Sequence, residues 1–349
     1  MDISQKLSSY DFDLPKELIA QVPADKRDMA RLLVLDKKTG KIEHRQFKDI
    51  IEYLQPGDCL VLNKTKVFPA RLFGKKETGG KVETLFLKQV SDTRWLVLLK
   101  PFIEAGKTII LPDGLFAKVI EKTPLGETLI EIPVGTDMKK VLEKFGKMPL
   151  PPYIKRELGS TEKDRLDRER YQTVFAEIEG SIAAPTASLH FTPELINEIK
   201  KKVDIAEIVL HVGWGTFRPI IADDVTQHKM LPESFEISKE AIEKIRTAKA
   251  GNGRVVVVGT TASRALEACA DKILGDGLED LTGATDIFIC PGHKFYVPDV
   301  FVTNFHLPGS TPLMMACAFA GKDNIFNAYR EAINLKYRFF SYGDSMLII

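Results

Sequence analysis

The sequence predicts a mixed α/β protein, a large α/β domain with a small all-β, barrel-like domain inserted in it, and three patterns predict it. Between residues 67 and 132 short strand candidates follow one another across glycine turns with no helix between them. Beyond residue 190 strands and helices alternate, the pattern of a parallel or mixed sheet covered by helices. Between these regions stands Met148-Pro149-Leu150-Pro151-Pro152-Tyr153, a proline-stiffened stretch that reads as a return connection. The expected division is a discontinuous α/β domain, 1–65 plus 136–349, and an inserted domain over 66–135.

The first strand candidates are 32–35, 42–46 and 59–62, with the turn Lys38-Thr39-Gly40 after the first and Pro56-Gly57-Asp58 before the third. A helix is expected over 47–54. The inserted domain follows with strands over 67–73, 82–89, 94–99, 108–111, 115–121 and 128–132. Its turns include Thr78-Gly79-Gly80, Asp113-Gly114 and Leu125-Gly126. The later alternation reads helix 193–202, strand 205–212, helix 239–250, strand 254–258, helix 262–274 and strand 287–290. Nearly continuous apolar strands such as Val255-Val256-Val257-Val258 fit burial on both faces.

Composition narrows the function classes. The 349 residues are 44% hydrophobic and 28% charged, an ordinary globular balance. Lys and Arg number 49 against 48 Asp and Glu, so bulk charge does not announce a nucleic-acid partner. Cys59, Cys269, Cys290 and Cys317 lie far apart with no CxxC pair, which reads as reduced thiols rather than a zinc ribbon or a disulfide framework. The first 14 residues lack an apolar signal core. The longest apolar run, 313–320, is well short of the roughly 20 residues of a membrane span. A cytoplasmic protein with no membrane partner is expected. His190, His211, His228, His293 and His306 show no HxxxH or HExxH spacing, so no metal site is expected. Neither a nucleophile elbow nor a phosphate-binding GxxxxGK[ST] loop is present.

Four segments carry candidate chemistry. Arg254 to Arg264 is a buried strand that breaks at Gly259 and enters a helix through Thr260 and Thr261. Ligands of open α/β sheets bind at such strand ends, and free helix amides favour an anion. Arg264 near the start of that helix opposes its dipole unless an anion or acid offsets it; an ordinary βα turn with a solvated arginine fits equally well. The second segment, Thr303 to Pro312, has the same shape, with His306 in the loop and Thr311-Pro312 opening a buried apolar helix. The third, Gly180 to Thr192, is small and turn-rich, admits a ligand close to backbone, and includes His190. The fourth, His211-Val212-Gly213-Trp214-Gly215, carries a GxG without the third glycine of a dinucleotide fingerprint.

Charge is segregated along the chain. Lys64, Lys66, Arg71, Lys75 and Lys76 fall between residues 63 and 76 without an acid, and Lys147 and Lys155 fall in an acid-free stretch that includes Tyr153. Residues 273–286 hold Asp276, Glu279, Asp280 and Asp286 and no cation. Basic segments with an aromatic suit a phosphate backbone and an unstacked base.

On long ordered stretches the sequence resembles the S-adenosylmethionine:tRNA ribosyltransferase-isomerases of the queuosine pathway. The matching segments include Tyr10-Asp11-Phe12-Asp13-Leu14-Pro15, the run from Asn63 to Gly74, Pro149-Leu150-Pro151-Pro152-Tyr153-Ile154, and Asp167-Arg168-Glu169-Arg170-Tyr171-Gln172. They continue with Ala183-Ala184-Pro185-Thr186, His190-Phe191-Thr192, His211-Val212-Gly213, Thr303 to Pro308 and Tyr337 to Asp344. Where that family usually reads H-x-M-H-x-E, this chain has His228-Lys229-Met230-Leu231-Pro232-Glu233; the usual G-T-T-S-V-R is Gly259-Thr260-Thr261-Ala262-Ser263-Arg264, and a usual tyrosine after Pro-Gly is His293.

The resemblance implies transfer and isomerisation of the ribosyl group of S-adenosylmethionine onto 7-aminomethyl-7-deazaguanine at the wobble position of tRNA, giving epoxyqueuosine, adenine and methionine. It implies S-adenosylmethionine as co-substrate, no prosthetic group, a tRNA partner and a monomer. The residues assigned to proton transfer are His306, His190 and His228; Thr260, Thr261 and Arg264 are assigned to S-adenosylmethionine. Tyr153, Lys155, Arg156, Arg168, Arg170, Tyr171, Lys64, Lys66 and Arg71 are assigned to RNA, although Arg168 and Arg170 equally fit helix-surface ion pairs and Tyr171 equally fits the core. A methyltransferase is disfavoured, because no GxGxxG follows a first strand.

Overall fold

The computed structural model describes residues 5–156 and 160–349. Two compact units are present. One comprises the chain to Lys66, Pro152–Lys155 and Gln172–Ile349; the other comprises Val67–Pro151 and Arg156–Tyr171. The second reaches past residue 135 because helices α2 (Met138–Phe145) and α3 (Thr161–Arg170) belong with its barrel.

The first unit opens with β1 (Arg31–Leu35), β2 (Ile42–Gln46), a 3-10 turn (Phe47–Asp49) running into α1 (Ile50–Tyr53), β3 (Cys59–Asn63) and β4 (Thr65–Val67). The barrel unit supplies β5 (Arg71–Lys76), β6 (Lys81–Ser91), β7 (Arg94–Lys100), β8 (Thr108–Ile110), β9 (Phe116–Lys122) and β10 (Thr128–Glu131). After α3 come β11 (Ile178–Ser181), α4 (Pro193–Lys200), β12 (Asp204–Leu210), β13 (Glu233–Ile237), α5 (Lys239–Ala250), β14 (Val255–Val258), α6 (Thr260–Ala268) and α7 (Ala270–Leu274). The chain ends with β15 (Leu281–Thr285), β16 (Val300–Asn304), α8 (Thr311–Ala320), α9 (Lys322–Asn334) and β17 (Ser345–Ile348).

Nine strands form one sheet in the order β15-β13-β12-β3-β14-β16-β17-β1-β2, and β12, β3, β14 and β16 run parallel at its centre. Six strands close a barrel, β10-β7-β6-β5-β8-β9, each paired antiparallel with its neighbours. This is the mixed α/β fold with a barrel that the strand and helix patterning predicts.

Period-two alternation explains why helices cover both faces of the sheet. Along β3, Cys59 and Val61 join one core cluster with Ile242, Ile245 and Leu266 of α5 and α6, while Leu60 and Leu62 join another with Leu195, Ile196 and Ile199 of α4. Leu33 and Phe301 meet Leu313, Met314 and Ile325 in the third cluster. Among the described residues no helix is long and apolar enough to cross a membrane. Cys59, Cys269 and Cys317 are buried free thiols and Cys290 is a half-buried one.

Three expected elements differ. The strand expected over 287–290 is irregular, and the neighbouring strand is β15; Ile287, Phe288, Ile289 and Cys290 are apolar because they pack into the core as a loop. The run 67–73 is split into β4 and β5 across Phe68-Pro69-Ala70, where proline removes a ladder donor. The helix expected over 262–274 starts at Thr260 and divides at Cys269, whose φ and ψ of −119° and 15° leave the helical region.

Candidate active site

Two neighbouring parallel strands, β14 and β16, each lead into a helix on the same face of the sheet. At the first junction Gly259 has φ +88°, a conformation open to glycine and costly for other residues, and its N–H donates to the Val302 carbonyl at 2.8 Å. The backbone then turns directly into α6. At the second, residues 305–310 carry the chain to α8, where Pro312 sits in the first turn and needs no helical partner for its nitrogen.

The starts of α6 and α8 open on one cavity, partly open to solvent. Its polar wall is Thr260, Thr261, Arg264 and Thr311, and its apolar wall is Met230, Phe288, Ile289 and Met315. Two helix N-termini favour a carboxylate there, and the other wall is apolar. The three residues that the strand-to-helix turn singles out, Thr260, Thr261 and Arg264, thus line one cavity.

Arg264 is buried, and its guanidinium is held on three sides. It pairs with the buried Glu233 carboxylate, donates from Nε to the Ile287 carbonyl at 3.0 Å, and donates to the Thr285 carbonyl at 3.2 Å. Glu233 in turn accepts from the Gly213 N–H at 2.9 Å. The acid that offsets Arg264 at the helix start is therefore Glu233, 31 residues away. Thr261 Oγ1 accepts from Asn63 Nδ2 at 3.2 Å, and Asn63 also exchanges two hydrogen bonds with the Leu210 backbone. Glu233 and Asn63 fall in segments that match the family pattern but are not singled out there as site residues, because their roles come from long-range pairing.

The histidines separate by environment. His228 is half-buried with its ring edge-on to Phe288 at 4.9 Å, which places it one ring away from the cavity. Burial, with Arg218 adding to it, holds its pKa below the usual imidazole value. His306 lies on the loop that leads to Thr311; its Nε2 is 2.7 Å from Thr303 Oγ1 and its backbone N–H donates to the Tyr329 hydroxyl at 2.9 Å. Burial pushes its pKa down to about 3. His190 is buried against Phe47 at 4.9 Å, with Asn304 Nδ2 3.2 Å from its Nε2. Burial holds its pKa down at about 4 despite the opposing charge of Asp344. The structure gives His190 a satisfied core environment rather than a place on the cavity.

The RNA candidates are largely engaged within their own units. In the sheet unit, Lys64 pairs with Glu177 at 2.8 Å. Tyr153 donates to or accepts from Ser341 Oγ at 2.5 Å and packs on Phe340 at 4.2 Å, so its ring is held in the core rather than presented to a base. Lys66 and Lys155 are exposed. In the barrel unit, Arg71 pairs with Glu83 at 3.1 Å and donates to the Leu150 carbonyl at 2.8 Å. Arg156 grips Asp167 with two bonds, at 2.7 and 2.8 Å, which removes it as a phosphate ligand. Arg168 donates to the Glu143 and Gly146 carbonyls, as a helix-surface residue does. Arg170 is half-buried, and Tyr171 is fully buried, a core residue that no base can reach.

The profile of the queuosine biosynthesis protein family matches residues 7–348. The chain belongs to that family. Among its relatives, the S-adenosylmethionine:tRNA ribosyltransferase-isomerase of Clostridioides difficile (strain 630) is 50% identical, over 98% of this chain and 99% of its own. The protein of the same name from Thermoanaerobacter sp. (strain X514) is 49% identical, over 99% of this chain and 100% of its own. A solved family structure, S-adenosylmethionine tRNA ribosyltransferase from Thermotoga maritima, is 37% identical, covers 97% of this chain and 99% of its own, and superposes with a TM-score of 0.55. The family's architecture, a large mixed sheet with a closed barrel, is the one found here.

Proposed function

We propose that this protein transfers and isomerises the ribosyl group of S-adenosylmethionine onto 7-aminomethyl-7-deazaguanine at the wobble position of a tRNA, giving epoxyqueuosine in the tRNA and releasing adenine and methionine. The observation that carries this reading is the convergence of two helix N-termini and an apolar wall on one cavity, in a chain about half identical to S-adenosylmethionine:tRNA ribosyltransferase-isomerases over nearly its whole length.

In this reading the Thr260 and Thr261 hydroxyls and the α6 amides hold the methionine carboxylate, and Arg264, fixed by Glu233, forms the cavity floor. Phe288 offers its ring face to the sulfonium, a cation over an aromatic. The sulfonium acidifies the adjoining ribosyl C–H. A base removes that proton; over the whole exchange the C1′–adenine and C5′–sulfur bonds break, the deazaguanine amine takes the ribosyl carbons, and adenine and methionine, a neutral thioether, leave. His228 is the base of this scheme, because it packs on Phe288 of the cavity wall and burial keeps it unprotonated at neutral pH. His306, also neutral, serves as hydrogen-bond partner to the departing adenine. His190 acts through Asn304 as a positioning residue. Lys66 and Lys155, both exposed, are the RNA contacts retained from the sheet unit. A cytoplasmic monomer is the working unit of this reading.

The test is incubation of the full chain with S-adenosylmethionine and tRNA carrying the deazaguanine precursor. Adenine and methionine release, with epoxyqueuosine in the tRNA digest, is the expected result. S-adenosylhomocysteine instead would make the protein a methyltransferase, and tRNA retention without turnover would make it a binding protein; either overturns the proposal.

A further inference from the structure

The barrel unit has its own surface chemistry. It carries 19 Lys and Arg against 15 Asp and Glu, whereas the sheet unit carries 30 against 33, so the near-zero total hides a basic unit and an acidic one. The excess is displayed in register. Lys75 of β5 pairs directly with Lys81 of β6 on one side and with Ile110 of β8 on the other, and Ile110 pairs with Phe116 of β9. Directly paired residues point to the same face of a sheet, so Lys81, Lys75, Ile110 and Phe116 form one row across four strands. Lys75 and Lys81 are exposed, and Phe116 is 56% exposed.

Two features of this row run against folding alone. Like charges directly opposite each other destabilise a strand pair, and among the described residues neither Lys75 nor Lys81 has an acidic partner that would offset the repulsion. The nearest acid on the same strand pair, Glu83, is taken by Arg71 at 3.1 Å. A phenylalanine more than half exposed gains little from burial within the chain. With strands about 4.8 Å apart, Lys75 and Phe116 lie about 10 Å apart along the row.

We propose that this row is an RNA-binding surface, with Lys75 and Lys81 on successive phosphates and Phe116 stacking on an unpaired base of the tRNA. Phosphates neutralise the paired cations, and an aromatic ring accepts any base face, which is the combination single-stranded RNA requires. The surface lies wholly in the barrel unit. It rests on the reading that tRNA is the substrate.

The test is a salt series of tRNA binding by fluorescence anisotropy, with a labelled tRNA transcript and the full chain. The double variant Lys75→Gln/Lys81→Gln is expected to lower the slope of log affinity against log salt by about 1.4, at about 0.7 per contact, and to weaken binding about tenfold near 0.15 M salt. Phe116→Ser is expected to weaken binding several-fold with the parent slope. Lys88→Gln/Lys139→Gln, which removes two charges elsewhere in the unit, is expected to behave as the parent. A parent slope in the first variant, or an equal loss in the last, overturns the surface. If the parent binds tRNA and releases adenine while Lys75→Gln/Lys81→Gln matches it, only the surface falls. If the parent binds no tRNA, the surface and the proposed function fall together.

Discussion

Replacing Glu233 by glutamine keeps the shape of the side chain and removes the counter-charge of Arg264. Both partners are nearly dry, with side-chain exposures of 4% for Arg264 and 2% for Glu233. Removing one member of such a pair typically costs about 3–5 kcal/mol, because the remaining charge is left buried without compensation. Arg264 keeps its two carbonyl acceptors, at 3.0 and 3.2 Å, which places the expected cost near the lower end, about 3 kcal/mol. The two tryptophans make the measurement specific, since Trp95 belongs to the barrel unit and Trp214 to the sheet unit. In a Trp95→Phe background, Trp214 fluorescence in urea follows the unit that holds Glu233. With an m-value of about 3 kcal/mol/M, the midpoint should fall by about 1 M. A double-mutant cycle with Arg264→Met should give a coupling of about 2 kcal/mol or more. A Glu233→Gln midpoint equal to the parent's, or single-variant effects that simply add, would refute the argument that this pair fixes the cavity floor.

Three further outcomes are expected. His190 titrates at about 4 in the folded protein against 6.5 in the unfolded chain, so between these values the unfolded chain binds a proton that the folded one does not. Its stabilising contribution is complete above pH 6.5 and is lost as pH falls toward 4, at up to about 1.4 kcal/mol per pH unit; His190→Gln should flatten that part of a Tm-against-pH curve. Thr261→Val removes a cavity hydroxyl and leaves one N–H of the buried Asn63 amide without its acceptor, so calorimetric titration should show S-adenosylmethionine bound roughly tenfold more weakly, with a stability loss of about 1–3 kcal/mol. Asp167→Asn breaks the two-bonded grip on Arg156, whose side-chain exposures are 14% and 4%, and should destabilise the barrel unit by about 3 kcal/mol on the Trp95 signal while leaving the Trp214 transition in place.

Local patterning made most of the fold legible. The β14 strand, the α5 helix and the glycine-turned barrel strands each announce themselves within a few residues, and the αβ alternation fixes the sheet class. What failed needed distant information. Ile287 to Cys290 is as apolar as a buried strand, and only its packing shows that it fills core as a loop. The β13 strand alternates buried Glu233, Phe235 and Ile237 with exposed Ser234 and Glu236, and a buried glutamate disguises that period unless its arginine is known. The same blindness governs the charges. A sequence displays Arg156 and Lys64 as cations but not the Asp167 and Glu177 that neutralise them, 11 and 113 residues away. Thr260, Thr261 and Arg264 were readable because a strand-to-helix turn is a local event.

The segment from His228 to Glu233 joins these threads. Within it the chain places His228 against Phe288, Met230 on the cavity wall and Glu233 on Arg264, so three of its side chains serve the cavity from three directions. Leu231, where the family pattern has a second histidine, lies against Gly215, and a Cβ on that glycine would come within 2.9 Å of the Leu231 Cβ. Leu231 therefore fills space that the glycine leaves open, a packing role that needs no proton. The groups that the proposed chemistry requires, an imidazole unprotonated at neutral pH and a fixed guanidinium, remain at His228 and Arg264. Leu231 itself is not among the residues that line the cavity.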